Sequence, residues 1–164
     1  CIPIDPFYLT WKAKEYGMNT RFIELAGEIN TSMPEFVVLK IIDALNSHGK
    51  SIKNSNVLIL GLSYKKNVDD LRESPSFEII EKCTLMGANI KFSDPYFIKI
   101  PRTRKHNFDL ESIELNKKTL NKMDLVVLCT DHDDFDYDLI LKYSKIVVDT
   151  RGRYSRESPN VVKA

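Results

Sequence analysis

The sequence predicts an α/β protein: an open parallel sheet with covering helices, preceded by an α-helical segment. Three observations carry that prediction. Short continuous apolar runs recur at Asn56–Gly61, Asp124–Cys129 and Lys145–Asp149, the pattern of strands buried on both faces, and Ala88–Ser93 reads as a further strand. Helical patterns separate them, and strands alternating with helices pack as a parallel sheet. Before residue 48 the apolar residues recur every three or four positions instead, the spacing of a helix face.

Asp5-Pro6 opens the first helix, with Asp5 as N-cap and Pro6 at the first helical position. Gly17 ends it after about Tyr16. Phe22, Ala26, Ile29, Met33, Val37, Ile41 and Leu45 then trace one face of a long amphipathic stretch, widened by Phe36, Val38, Leu39 and Ile42. Pro34 interrupts it, so either one helix is kinked there or a second begins after Thr31-Ser32. A face this wide calls for cover by a helix outside this sequence or by a second subunit. Ser47-His48-Gly49-Lys50 closes the helical section, and the first strand follows at Asn56–Gly61. Ser74-Pro75 opens a helix that carries Phe77, Ile79, Ile80 and Leu85 and ends at Gly87. The second strand stops at Asp94-Pro95. A polar loop runs from Tyr96 to about Leu110, and a weaker helix from Leu110 to Lys122. The third strand, a short helix over Tyr137–Tyr143 and the fourth strand complete the pattern.

At 164 residues the chain is one domain, or one domain and a piece of another. Its 24 Lys and Arg against 23 Asp and Glu leave a net charge of +1. That excludes a whole-protein basic field, so neither nucleic acid nor a membrane surface is an expected partner. Apolar runs reach about six residues, against the ~18 that a membrane span needs. Cys1, Cys83 and Cys129 are widely spaced and odd in number, which fits a reducing, cytoplasmic location. No Cys-x-x-Cys or His-x-x-x-His occurs, and no metal site is expected. The sequence starts with cysteine, not methionine, and reads as a fragment of a longer polypeptide.

Ligands of open parallel sheets bind beyond the carboxyl ends of the strands. Four segments belong there: Gly61–Ser74, Asp94–Tyr96, Thr130–Asp134 and Asp149–Tyr154. Three of them carry aromatic or cationic side chains suited to a nucleotide phosphate. On pattern alone they read more simply as solvated loops balanced by their own carboxylates. Gly61 stands alone where a dinucleotide turn needs several glycines, so this sheet is not expected to bind NAD by itself. Asp131-His132-Asp133-Asp134 has the look of a metal cluster, but such a run more simply caps the next helix. Cys83 and Cys129 read as inert core residues. Cys1 is different, because the helix start just after it favours a thiolate. With Asp5 four residues on, it could form a covalent adduct and hold a water for hydrolysis, although N-capping alone also accounts for Asp5.

Cys1-Ile-Pro-Ile-Asp5-Pro-Phe-Tyr-Leu, Gly61-Leu-Ser-Tyr-Lys65-Lys-Asn-Val-Asp-Asp-Leu-Arg72-Glu-Ser-Pro75, Ser93-Asp-Pro95 and Asp149-Thr-Arg151-Gly-Arg153-Tyr together resemble the UDP-glucose/GDP-mannose dehydrogenase family. Residues 98–110 and 129–137 look most like its UDP-N-acetylglucosamine 6-dehydrogenase branch, which supplies uronic acids for surface polysaccharides. The resemblance implies that residues 1–47 are the end of a central helical dimerisation domain and 48–164 a Rossmann-like, UDP-sugar-binding C-terminal domain. An NAD-binding N-terminal domain would lie outside this chain, and a homodimer is implied. It further implies oxidation of the sugar C6 alcohol to a carboxylate through a cysteine thioester. Cys1 would be the catalytic cysteine and Asp5 the aspartate that positions water. Tyr64, Lys65 and Arg151 would bind substrate, and Arg72 would reach the cofactor pyrophosphate. Arg102 and Arg104 are weaker candidates for the N-acetyl sugar. The fragment alone is expected to be inactive. A non-catalytic nucleotide-sugar-binding or dimerisation module, and UDP-N-acetylmannosamine or UDP-glucose as substrate, are the alternatives.

Overall fold

Five strands form one all-parallel sheet in the computed structural model, which describes residues 4–101 and 108–164. In chain order they are β1 (Asn56–Leu60), β2 (Asn89–Ser93), β3 (Leu125–Leu128), β4 (Val147–Asp149) and β5 (Val161–Lys163). Their spatial order is β2-β1-β3-β4-β5. From β1 the chain first moves outward to β2 and then returns to place β3 on the other side. The switch point between β1 and β3 is where open α/β sheets leave a crevice.

Side chains alternate across the pleat, and this decides which core each strand residue enters. Val57 and Ile59 of β1 and Leu125 and Val127 of β3 face α2 (Arg21–Ser47) and α3 (Pro75–Leu85). Leu58, Leu60, Val126 and Leu128 face the opposite layer, with Leu120 of α4 (Lys117–Lys122) and Ile140 of α5 (Tyr137–Tyr143). Both faces are covered, so both sets must be apolar, and these two strands read as apolar runs.

The expected four strands and their order are present; β5 is the addition. Three half-buried residues are too short a run to carry a period. α2 is one helix with Pro34 inside it, which resolves the two readings left open at that proline. The Thr31 and Ser32 hydroxyls donate to the Gly27 and Ile29 carbonyls in the preceding turn. The second half of α2 sends Val37, Val38, Ile41, Ala44 and Leu45 into the sheet's core. Its first half exposes Phe22, Leu25, Ile29 and Met33. α1 (Asp5–Glu15) packs on that first half, and the Phe7 ring takes the space where any side chain on Gly27 would stand.

Two sequence expectations need correction. Asp5 is not the N-cap of α1: Ile4 occupies that position, without a side-chain cap, and Asp5 is the first helical residue. The helix expected over Leu110–Lys122 is confined to Lys117–Lys122. Asn116 starts it there, in a reciprocal capping box with Thr119. The stretch before it runs extended beside β2, where the Ile113 N–H donates to the Phe92 carbonyl at 2.9 Å. Among the described residues no helix is long and apolar enough to cross a membrane.

Candidate functional site

The loops at the carboxyl ends of β1, β2, β3 and β4 converge, and hydrogen bonds tie them together. Gly61 begins the first. Its φ of +80° suits glycine, and a Cβ there would lie 2.4 Å from the Thr130 Cβ. The close approach lets the Thr130 hydroxyl donate to the Ser63 carbonyl at 2.5 Å, while Ser76 donates to the Gly61 carbonyl at 3.1 Å. Gly61 and Thr130 thereby fill the switch point itself, and the turn holds no further glycine to admit a pyrophosphate. The residues present do not fit NAD in this crevice.

Two buried carboxylates organise the rim. Asp94, after β2, accepts the Leu62 N–H at 2.6 Å and the Tyr96 N–H at 2.8 Å. Asp149, at the end of β4, accepts the Arg151 and Tyr154 N–H groups, both at 2.9 Å, and the Lys163 ammonium at 2.5 Å. Burial acts to raise both carboxyl pKa values. Their polar neighbours outweigh it, the His132 ring beside Asp94 and the Lys163 ammonium on Asp149 foremost, followed by the backbone N–H donors, and hold both below the ordinary range. These carboxylates stay charged and shape the loops.

On this frame stand the residues singled out from sequence. Tyr64 and Lys65 are exposed side by side, with the Lys65 ammonium 5.4 Å from the Tyr64 ring centre. Arg151 is exposed and donates Nε to the Cys129 carbonyl at 2.5 Å. Arg72 is exposed too, but it grips its neighbour Asp70, through Nε at 3.0 Å and Nη2 at 2.8 Å. Those hydrogen bonds lower the Asp70 carboxyl to about 2 and raise the Arg72 guanidinium. The structure thus places Tyr64, Lys65, Arg72 and Arg151 in the loops at the carboxyl end of the sheet. Asp5 is elsewhere, at the exposed start of α1. Among the described residues no hydrogen bond or ion pair joins it to these loops. Cys1, Arg102 and Arg104 lie outside the described residues.

Cys83 and Cys129 are buried, and burial pushes both thiols up to about 12, as inert core residues require. The acidic run 131–134 does not cap α5; Asp136 does, accepting the Leu139 N–H. Its histidine is instead fully buried. Sequence reasoning missed three rim residues. His132 and Asn67 meet across the switch point. Arg153 lies 4.2 Å above the Tyr137 ring. Arg153 could have been found from the cationic Arg151-Gly-Arg153 run; the other two leave no local signal.

The profile of the UDP-glucose/GDP-mannose dehydrogenase family, UDP binding domain, matches residues 58–156. The chain belongs to this family. Among relatives it is 31% identical to protein CapL of Staphylococcus aureus, over 98% of this chain and 38% of that protein. It is 34% identical to UDP-N-acetyl-D-mannosamine dehydrogenase of Methanocaldococcus jannaschii, over 96% of this chain and 34% of that one. Among solved structures, UDP-D-ManNAc dehydrogenase from Pyrococcus horikoshii superposes with a TM-score of 0.78 at 25% identity, over 99% of this chain and 37% of that one. The chain therefore spans about a third of the length of the curated relatives it matches. The family match covers all four rim loops almost entirely, from within β1 to just beyond Tyr154. Tyr64, Lys65, Arg151 and Arg153 are exposed within the matched segment and set an aromatic ring and three cations on its rim loops.

Proposed function

We propose that this chain is the UDP-sugar-binding part of an NAD-dependent dehydrogenase that oxidises C6 of a UDP-N-acetylhexosamine to the uronic acid for polysaccharide synthesis. The observation that carries the reading is the gathering of Tyr64, Lys65 and Arg151 beyond the strand ends, inside the segment that matches a UDP-binding domain. Lys65 and Arg151 neutralise the diphosphate, and Tyr64 offers an aromatic face beside it. The names of the relatives point to an N-acetylated sugar. NAD is held mainly by residues outside this chain, where Arg72 contributes charge after exchanging its Asp70 partner for the pyrophosphate. Residues 1–47 are the end of a central domain through which two subunits pair, and the exposed apolar half of α2 is the surface available for it. Cys1 is the nucleophile that holds the C6 carbon as a thioester, and Asp5 positions the water that releases the carboxylate. The protein works in the cytoplasm, where its nucleotide-sugar substrates are made.

Titration of the full-length gene product with UDP, followed by assay with UDP-N-acetylglucosamine, UDP-N-acetylmannosamine and UDP-glucose in the presence of NAD, tests this. Saturable UDP binding and NADH formation with an N-acetylated substrate are expected. UDP binding without turnover of any of the three would leave the non-catalytic binding module standing; no UDP binding would overturn the reading.

A further inference from the structure

One buried titratable group at the rim has no part in the chemistry proposed above. The His132 side chain is fully buried at the switch point, between the Tyr96 and Phe135 rings at centroid distances of 5.1 and 5.6 Å. Its Nδ1 lies 3.0 Å from the Asn67 backbone nitrogen, whose N–H points at it. A backbone N–H can only donate, so Nδ1 is the acceptor, and the proton of the neutral ring is on Nε2. Nε2 faces Asp94 Oδ2 at 3.3 Å, a misaligned contact that leaves it without a well-directed hydrogen bond among the described residues. The same Asp94 oxygen accepts the Leu62 N–H. Asp94 and His132 therefore form a buried bridge with Leu62 at one end and Asn67 at the other. The stretch that the bridge spans carries Tyr64 and Lys65.

Asn67 is the second half of the clasp. It adopts a left-handed φ of 60°, which asparagine tolerates better than most residues. Its side-chain oxygen accepts the Asp133 N–H at 3.0 Å, and its amide nitrogen donates to Asp133 Oδ2 at 2.5 Å. Residues 132 and 133 thus hold the backbone and the side chain of Asn67 at once. Inside the loop, Ser63 Oγ donates to the Val68 carbonyl at 2.6 Å, and the Tyr64 N–H to the Asp70 carbonyl at 3.0 Å.

We infer that His132 is a positioning residue for the nucleotide site: as the Nε2-protonated tautomer it locks residues 62–67 in the one conformation that presents Tyr64 and Lys65. This rests on the reading that those two side chains contact UDP. A loop released from the clasp samples further conformations, and affinity falls by the fraction that remains competent.

His132→Asn and His132→Leu test it in the full-length protein. Asparagine puts an amide oxygen near the position of Nδ1 and keeps an acceptor for the Asn67 N–H. Leucine fills similar space without one, and neither reaches Asp94 as Nε2 does. UDP affinity by calorimetry, melting temperature, and hydrogen exchange of a peptide spanning residues 62–73 are measured for each. Expected are a roughly tenfold loss of UDP affinity and faster loop exchange in His132→Leu, and recovery of most of both in His132→Asn. Nitrogen NMR of the wild-type ring, which requires no variant to fold, is expected to show Nδ1 unprotonated. Equal UDP affinity in both variants and wild type, or a proton on Nδ1, overturns the proposal. A wild-type protein with a protected loop that binds no UDP overturns the site reading instead, and the positioning role falls with it.

Discussion

The two ends of the sheet use buried carboxylates differently. At the amino end, Asp124 precedes β3 and collects cations: the Lys50 ammonium at 2.5 Å and the Lys145 ammonium at 3.2 Å, with the Asn56 N–H at 2.9 Å. One carboxylate staples the end of the α2 segment, the start of β1 and the start of β4. At the carboxyl end, Asp94 and Asp149 spend most of their capacity on backbone N–H groups. They shape loops and leave Lys65, Arg151 and Arg153 exposed at the rim. A strand's amino end needs only closing, and there one carboxylate joins two ammonium groups. Its carboxyl end must hold irregular backbone still while keeping cations available, and neutral N–H donors do that without consuming them.

The largest effect should come from closing the carboxyl end too tightly. Gly61→Ala forces a Cβ against Thr130 in a left-handed backbone and is expected to cost about 3 kcal/mol, read as a fall in the denaturation midpoint. Next, Lys65→Ala and Arg151→Ala should each weaken UDP binding by about ten- to a hundredfold, the worth of a charge-assisted hydrogen bond, with little change in melting temperature. Equal affinity in both variants would place the nucleotide elsewhere. Asp124→Asn should act in the opposite sense, leaving UDP affinity intact and lowering stability by about 1–3 kcal/mol.

Asp124 also separates the two ends by pH. Burial acts to raise its carboxyl, yet the bonds from Lys50, the Asn56 N–H and Lys145 prevail and hold it at about 2. The unfolded carboxyl titrates at about 3.9. Its folded pKa is depressed, so its contribution is complete above about pH 4 and is lost as the pH falls towards 2. Acid unfolding curves of Asp124→Asn should be flatter over that window than those of the wild type. The smallest effect is expected at the exposed Lys66–Asp133 ion pair of 3.2 Å, where Lys66→Ala should leave the melting temperature essentially unchanged.

Legibility followed the range over which each signal acts. The runs of β1–β4, α3 between Ser74-Pro75 and Gly87, and the loops carrying Tyr64, Lys65 and Arg151 could be read because their signals lie within one element or turn. Ser74 does cap α3, accepting the Ser76 N–H. The helix expected over Leu110–Lys122 failed because its first half pairs with β2 instead, and a partner strand leaves no mark on a single sequence. β5 failed for the same reason: its ladder with β4, not its own three residues, makes it a strand. The acidic run around His132 looks like a cap in sequence because the contacts that define it come from residues far away along the chain.

By itself, the sequence determined the α/β class, the switch to a sheet after residue 50, the family motifs, and which loops lie beyond the strand ends. Apolar period and turn chemistry act over a few residues and are written locally. Tertiary structure alone decided that Asp94, His132 and Asn67 meet, that Gly61 and Thr130 fill the switch point, and that Asp5 stands apart from the rim loops. Those are distances between segments that only strand order and packing bring together, and a hydrogen bond depends on distance and direction rather than on the identity of neighbours along the chain.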